Sequence, residues 1–307
     1  MKIVSIGGGP AGLYFALLMK KADPRHDITV VERNRADDTF GFGVVFSDAT
    51  LTGFGDADPE TQAAITRSFA HWNDIDVHYR GEVITSAGHG FSGMSRQALL
   101  NILQNRARDL GVRLEYQKEV TDIDPYRSAD LVLAADGVNS FIRQKYAAHF
   151  QPEIDWRRNR FVWLGTTRPF PAFTFYFKES AHGLFRVHAY QYNRTHSTFI
   201  VECTDETWKC AGLDQDSEDE TLAYMEALFR EELDGHRLLK NRSLWRSFPT
   251  IRNRRWYHEN IVLMGDAVHT AHFSIGSGTK LAMEDAIALS ATLQKHKKVG
   301  DALAAYE

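Results

Sequence analysis

The run Gly7-Gly8-Gly9-Pro10-Ala11-Gly12 leaves this chain fewer folds to choose from than any other segment. It fits the GxGxxG spacing and sits between an apolar stretch, Lys2 to Ile6, and a helical pattern, Pro10 to Lys20. Gly7 permits the tight turn, Gly9 lets backbone approach a pyrophosphate, and Gly12 lets helix and strand pack closely. The helix N-terminus supplies N–H donors for an anion. A second strand, Ile28 to Val31, ends at Glu32, 20 residues beyond Gly12, where a carboxylate accepts from ribose hydroxyls; Arg33 follows in the same corner. The spacing alone is a weak signal. Strand, loop, helix, strand and acid in this order predict a dinucleotide-binding βαβ unit.

Composition limits what such a unit can serve. The 307 residues are 43% hydrophobic and 25% charged, with a net charge of -4, as in globular proteins. No global basic field attracts nucleic acid, so any phosphate must be held by a local site. Cys203 and Cys210 form neither a CxxC pair nor a disulfide framework, which fits a reducing cytoplasm, and no metal site is expected. His269 and His272 stand three apart, but a lone pair of histidines is a poor argument for a metal. Residues before Gly7 leave no room for a signal peptide. No apolar run approaches the roughly 18 to 20 residues of a membrane span.

Two further motifs follow buried strands. Asp136-Gly137-Val138-Asn139-Ser140-Phe141-Ile142-Arg143 comes after Leu131 to Ala135, and Gly265-Asp266-Ala267-Val268-His269 comes after Ile261 to Met264, leading to Gly276, Gly278 and Asp285. A carboxylate beside glycine at a strand end suits a ribose or ribityl hydroxyl, although each motif taken singly is an ordinary turn. Ser95 to Leu110 reads as a helix with Gly111 at its C-cap, and Val112 to Tyr116 as a strand. Segments 172–177, 184–192 and 197–203 are rich in aromatic and β-branched residues and predict an antiparallel sheet. Ser217 and Glu220 form a capping box ahead of Leu222, Met225, Leu228 and Phe229, the apolar face of a helix of about four turns. Nucleotide-domain texture then returns. The expected fold is α/β: a discontinuous Rossmann-type domain (1–74, 92–152 and 249–307) interrupted by a smaller sheet-rich substrate domain (75–91 and 153–248).

The three motifs, with Ser95-Arg96-Gln97 opening the intervening helix, resemble the group A FAD-dependent aromatic hydroxylases, the para-hydroxybenzoate hydroxylase-like family, over nearly the whole chain. That resemblance implies FAD on a GR2-like domain. Gly7, Gly9, Gly12 and Glu32 would hold its ADP half, and Arg96 would approach the pyrophosphate or ribityl region. Asp266 would bind the ribityl chain, while Asp136 and Gly137 would lie near the pyrophosphate and the NAD(P)H path. Gly41 to Phe46, with Gly43 and Val44, would bring backbone against the isoalloxazine ring, and Gly278 closes the third motif. His272-Phe273 and Gly278-Thr279-Lys280 stand where the family usually shows Pro-Pro and Gly-Leu-Asn. With Gly-Phe-Gly-Val-Val-Phe-Ser, this departure looks like the salicylyl-CoA 5-hydroxylase and 2-aminobenzoyl-CoA monooxygenase branch. There the FAD domain is often fused to an Old Yellow Enzyme-like reductase. The chain reaches Glu307 in helical sequence without a cap or turn signal, which leads us to expect a longer parent chain.

In that family NADH or NADPH reduces the flavin, O2 adds at C4a, and the hydroperoxide hydroxylates an electron-rich aromatic ring. The protein must supply a dry apolar pocket. Phe173, Phe175, Phe177, Phe185, His188, Tyr190 and Tyr192 are candidates for its wall or for ordinary packing of one sheet face. His272 and Phe273 are the first candidates for substrate contact and proton exchange. Arg157-Arg158-Asn159-Arg160 and Arg252-Asn253-Arg254-Arg255 are either solvated surface or a site for CoA phosphates. An ortho-substituted benzoyl-CoA, salicylyl-CoA first, is the expected substrate. The alternatives are 2-aminobenzoyl-CoA, a free aromatic acid, a flavin reductase without oxygen insertion and a non-catalytic FAD module; the WxWxIP signature of a halogenase is absent.

Overall fold

The computed structural model describes residues 1–307, apart from the side chains at positions 49 and 275. A six-stranded sheet runs in the order Tyr257–His258, Ile261–Leu263, Leu131–Ala134, Lys2–Ile6, Asp27–Val31, Arg113–Glu115. All its pairings are parallel except the one to the Tyr257–His258 edge. Its strands are apolar on both faces, because helices Pro10–Ala22, Arg96–Asp109 and Gly278–Lys295 cover one side and Phe141–Lys145 and Ala147–Phe150 flank the other. The order matters for function. Lys2–Ile6, Leu131–Ala134 and Ile261–Leu263 are neighbours and parallel, so the three motifs that follow them emerge together at one edge of the sheet.

The second sheet has eight strands and is mostly antiparallel, built on Pro152–Thr166, Phe173–Ser180, Gly183–Asn193 and His196–Cys203. Ile75–Tyr79 and Glu82–Ser86 extend it, and Arg246–Asn253 pairs with Pro152–Thr166. The boundary expected at 249 thus falls inside a strand of this sheet. One face is closed by helix Glu218–Leu228, whose capping box at Ser217 and Glu220 is present; Met225 and Phe229 pack onto Phe185, Val187, Phe199 and Val201. That helix has 11 residues, about three turns rather than the four expected. The other face looks toward the parallel sheet. A small three-stranded sheet, Gly43–Ser47, Phe91–Ser95 and Ala70–Trp72, lies between them. Among the described residues no helix is long and apolar enough to cross a membrane.

Asp58 fastens the helical layer. Its carboxylate accepts from Thr61 N and Oγ1 at 3.3 and 2.6 Å and pairs with Lys21 at 3.0 Å and Arg106 at 3.1 Å, joining three helices. Burial opposes its charge, but hydrogen bonds from Arg106, Thr61 and Lys21 outweigh that and hold the carboxyl at about 2. A carboxyl lowered on folding stabilises the fold above its ordinary value of 3.8 and loses that contribution as pH falls toward 2. Asp58→Asn is therefore expected to lower stability at neutral pH, with the difference from wild type closing below about pH 2. Urea unfolding across that range checks this; a gap independent of pH contradicts it.

Candidate functional site

Backbone crowding shapes the loop at the first strand end. Gly7 has φ +109°, and a Cβ there would lie 2.1 Å from the Ala135 carbonyl oxygen; a Cβ at Gly12 would lie 2.1 Å from that of Gly7. Gly9 differs, because no protein atom lies within 4 Å of its Cβ position. Space is thus kept free beside its backbone, at the start of helix Pro10–Ala22.

Two cavities open on either side of this loop and share Gly9, Ala135 and Gly137. The smaller, about 200 Å³, is lined by Glu32, Arg33, Asn34, Asp136 and Gly137. Glu32 Oε2 accepts from Gly8 N at 2.7 Å and Oε1 from Asn34 N at 2.8 Å, so the carboxylate is held in place with a lone pair to spare. Asp136 Oδ2 accepts from Ile142 N at 3.2 Å, but Oδ1 is buried with no partner. Burial pushes the Asp136 carboxyl up, against hydrogen bonds from Ser140 and nearby backbone.

The larger cavity, about 260 Å³, reaches from Gly9 past Arg96, Gly265, Asp266 and Gly278 to Gly43, Val44 and Val45. Arg96 makes no ion pair or side-chain hydrogen bond among the described residues. Its surroundings depress the guanidinium by desolvation, opposed chiefly by the Asp266 carboxylate. Asp266 lines the cavity with its side chain exposed there, and desolvation by the surrounding protein raises its carboxyl, against Arg96 and His269. An enclosed guanidinium, two carboxyls lifted by desolvation and an orphaned buried oxygen form a set of polar groups awaiting a ligand. The donors fit the phosphates and the acceptors fit the hydroxyls of a dinucleotide.

Residues whose roles the sequence did not reveal hold this edge rigid. Arg143, 2% exposed, donates to Ala267 O at 3.0 Å, Asp266 O at 3.4 Å and Val138 O at 2.5 Å, tying the second motif to the third. Asp285 accepts from Gly265 N and from His269 Nε2, both at 2.9 Å. That engages His269, and among the described residues no cluster of three or more metal-ligating groups occurs.

The far end of the larger cavity is roofed by the second sheet through Trp163, Tyr190, Ile200 and Phe248, with Phe273 beside them from the turn after the third motif. The Tyr190 hydroxyl donates to Gly43 O at 2.9 Å, and Gly43 N donates to Thr198 Oγ1 at 3.0 Å, locking this roof to Gly43–Ser47. Phe273 packs on Phe161 and Phe248 at centroid distances of 4.5 and 5.9 Å. His272 does not line the cavity: its Nδ1 takes up Ser274, with Oγ at 2.8 Å, and Phe248 meets its ring edge-on. Desolvation lowers its pKa. His188, packed on Phe175 and near Phe273, is brought down to about 4 by burial and is neutral near pH 7.

Ladder pairing corrects the aromatic set. Phe173, Phe175 and Phe177 lie opposite Tyr190, His188 and Arg186 on the cavity side, along with Tyr192. Phe185 has the other parity and is buried against Tyr224 and Phe229's cluster beneath the helix, so it cannot line the pocket. Phe177 stacks edge-on with Tyr79, away from the cavity lining. Phe248, Phe161 and Trp163, by contrast, carried no motif, and only strand pairing between 152–166 and 246–253 brings them to the site.

A parallel sheet with phosphate-binding loops at its carboxyl edge, roofed by an antiparallel sheet over a flavin-sized cleft, defines an FAD-binding protein. The chain belongs to the FAD binding domain family, whose model matches residues 1–307. It is 46% identical over its full length to salicyloyl-CoA 5-hydroxylase of Streptomyces sp, of which it spans 61%. It is 36% identical over its full length to 3-hydroxy-4-methyl-anthranilyl-[aryl-carrier protein] 5-monooxygenase of Streptosporangium sibiricum, spanning 83% of that protein. The fold is that of 2-methyl-3-hydroxypyridine-5-carboxylic acid oxygenase, with a TM-score of 0.83 at 20% identity, covering 100% of this chain and 86% of that one.

Two variants separate the cofactor site from the fold. Gly9→Ala should leave the apoprotein's melting temperature unchanged yet abolish flavin retention, whereas Gly12→Ala should lower both; equal flavin content in Gly9→Ala and wild type contradicts the assignment. Arg96→Ala removes a charge-assisted bond of about 1.5–3 kcal/mol, which weakens FAD binding on the order of 10- to 100-fold, read by fluorescence titration.

Proposed function

We propose that this chain hydroxylates the ring of an ortho-substituted benzoyl-CoA, salicyloyl-CoA first, with 2-aminobenzoyl-CoA and free aromatic acids as the alternatives. The observation that carries the reading is the larger cavity itself, polar where it meets the glycine loop and aromatic where Phe273, Phe248 and Tyr190 close over Gly43 to Val45. Full-length similarity to an enzyme named for salicyloyl-CoA supports the substrate class. Bound FAD supplies the redox chemistry, taking two electrons from NAD(P)H and activating O2. One oxygen atom goes to the ring and the other leaves as water.

The protein's own residues do the rest. Gly7, Gly9, Glu32, Arg33, Asp136 and Gly137 would hold the ADP half, with Gly12 closing the turn behind them, and Arg96, Asp266 and Gly278 would hold the middle. Gly43 and Val44 line the cavity floor and would present backbone to the cofactor ring. Phe273 and Phe248 exclude water, which protects a reactive oxygen donor from decay. His272 stands behind Phe273, its Nδ1 accepting from Ser274 N, so the neutral ring carries its proton on Nε2 and holds the turn that presents Phe273.

The purified protein should be yellow, and NADH oxidation should rise with salicyloyl-CoA but not with salicylate, giving a product heavier by one oxygen atom. Equal stimulation by both removes the CoA claim, and an unchanged product mass removes hydroxylation. Phe273→Ala should divert severalfold more NADH to hydrogen peroxide. His272→Ala should leave kcat within a few-fold of wild type while loosening the turn at Phe273; a loss on the order of 10²-fold instead makes His272 a proton carrier.

A further inference from the structure

The Arg246–Asn253 strand turns Pro249, Ile251 and Asn253 inward and presents Arg246, Phe248, Thr250 and Arg252 on its outer face. Phe248 lines the cavity and meets both His272 and Phe273 edge-on. The other members of the face therefore lead directly away from the cavity's aromatic end. Arg157 joins them across the sheet, its Nε donating to Thr250 Oγ1 at 3.1 Å.

Most arginines of the two basic clusters are neutralised: Arg157 by Asp155 at 3.2 Å, Arg160 by Asp205 at 2.7 Å, Arg254 by Glu153 at 2.9 Å and Arg255 by Glu307 at 3.3 Å. Arg246 and Arg252 are the exceptions on this strand. Both are exposed, and among the described residues neither has an ion pair or a side-chain hydrogen bond. Glu153 lies opposite Arg252 in the ladder but is taken by Arg254. Two uncompensated guanidinium groups thus flank the cavity's aromatic end on a chain whose net charge is -4.

We propose that this strand face binds the phosphates of a CoA thioester, with Arg252 at the diphosphate end and Arg246 beside the mouth. The proposal rests on the benzoyl-CoA reading above and assigns its nucleotide end. Four residues of strand separate Phe248 from Arg252, roughly 13 Å at 3.3 Å per residue, a span suited to an extended pantetheine arm laid over Thr250. Guanidinium groups bind phosphate through paired, charge-assisted hydrogen bonds, which a lysine reproduces poorly.

Kinetics of the holoenzyme with salicyloyl-CoA and with salicyloyl-pantetheine, the same thioester without phosphates, test the proposal. The double variant Arg246→Gln, Arg252→Gln changes two exposed side chains outside the FAD site. Its KM for salicyloyl-CoA should rise about 10- to 100-fold, with kcat and flavin content unchanged and KM for salicyloyl-pantetheine unmoved. An unchanged KM for salicyloyl-CoA, or an equal rise for both thioesters, overturns the arginine assignment. Wild-type enzyme that uses both thioesters with equal KM also overturns it while leaving the benzoyl-thioester reading intact. Wild-type enzyme that does not distinguish salicyloyl-CoA from salicylate overturns that reading and this one with it.

Discussion

Everything at the site depends on how tightly backbone packs where three adjacent parallel strands end. The turn at Gly7 presses against the Ala135 carbonyl, and Gly12 presses against Gly7, so the loop can approach a neighbouring strand only because neither position carries a side chain. This contact sets the first motif beside the second. Arg143 then joins the second to the third through carbonyls of Val138, Asp266 and Ala267, and Asp285 fixes the turn at Gly265. Segments more than a hundred residues apart in sequence become one rigid rim.

That rim carries charges which folding alone does not satisfy. Arg96, Asp136 and Asp266 are held where desolvation opposes their ionised forms, and Asp136 Oδ1 has no partner. Such groups cost stability unless something pairs with them. The cost is tolerable because the surrounding structure is otherwise well tied, as at Asp58, and because a dinucleotide offers the complementary phosphates and hydroxyls. The second sheet completes the arrangement from the other side. It places Trp163, Tyr190, Ile200 and Phe248 over a backbone floor, giving one cleft a polar half and a dry half.

Local interactions were legible in the sequence. The glycine turn ahead of a helix, the helix opened by Ser95-Arg96-Gln97 and the Ser217–Glu220 box are each marked by residues close together in sequence, and each is present. The resemblance carried by the three motifs led to the FAD-binding family. Readings that needed a strand's neighbours fared differently. Phe185 was grouped with the pocket aromatics on composition, although its odd spacing from His188 turns it to the helix side. Phe248 and Trp163 carried no local signal. The basic clusters looked uniform, and only the folded structure separates Arg157, Arg160, Arg254 and Arg255, which are paired, from Arg158 and Arg252, which among the described residues are not.

The sequence by itself determined the nucleotide-binding edge, because glycine spacing, a following helix and an acidic strand end constrain backbone geometry over short distances. Only the tertiary structure decided which side chains roof the cleft, which carboxyls lose water and which cations keep no counter-ion. Those properties belong to pairs of residues distant in the chain, and burial and Coulomb energy depend on where both partners come to rest.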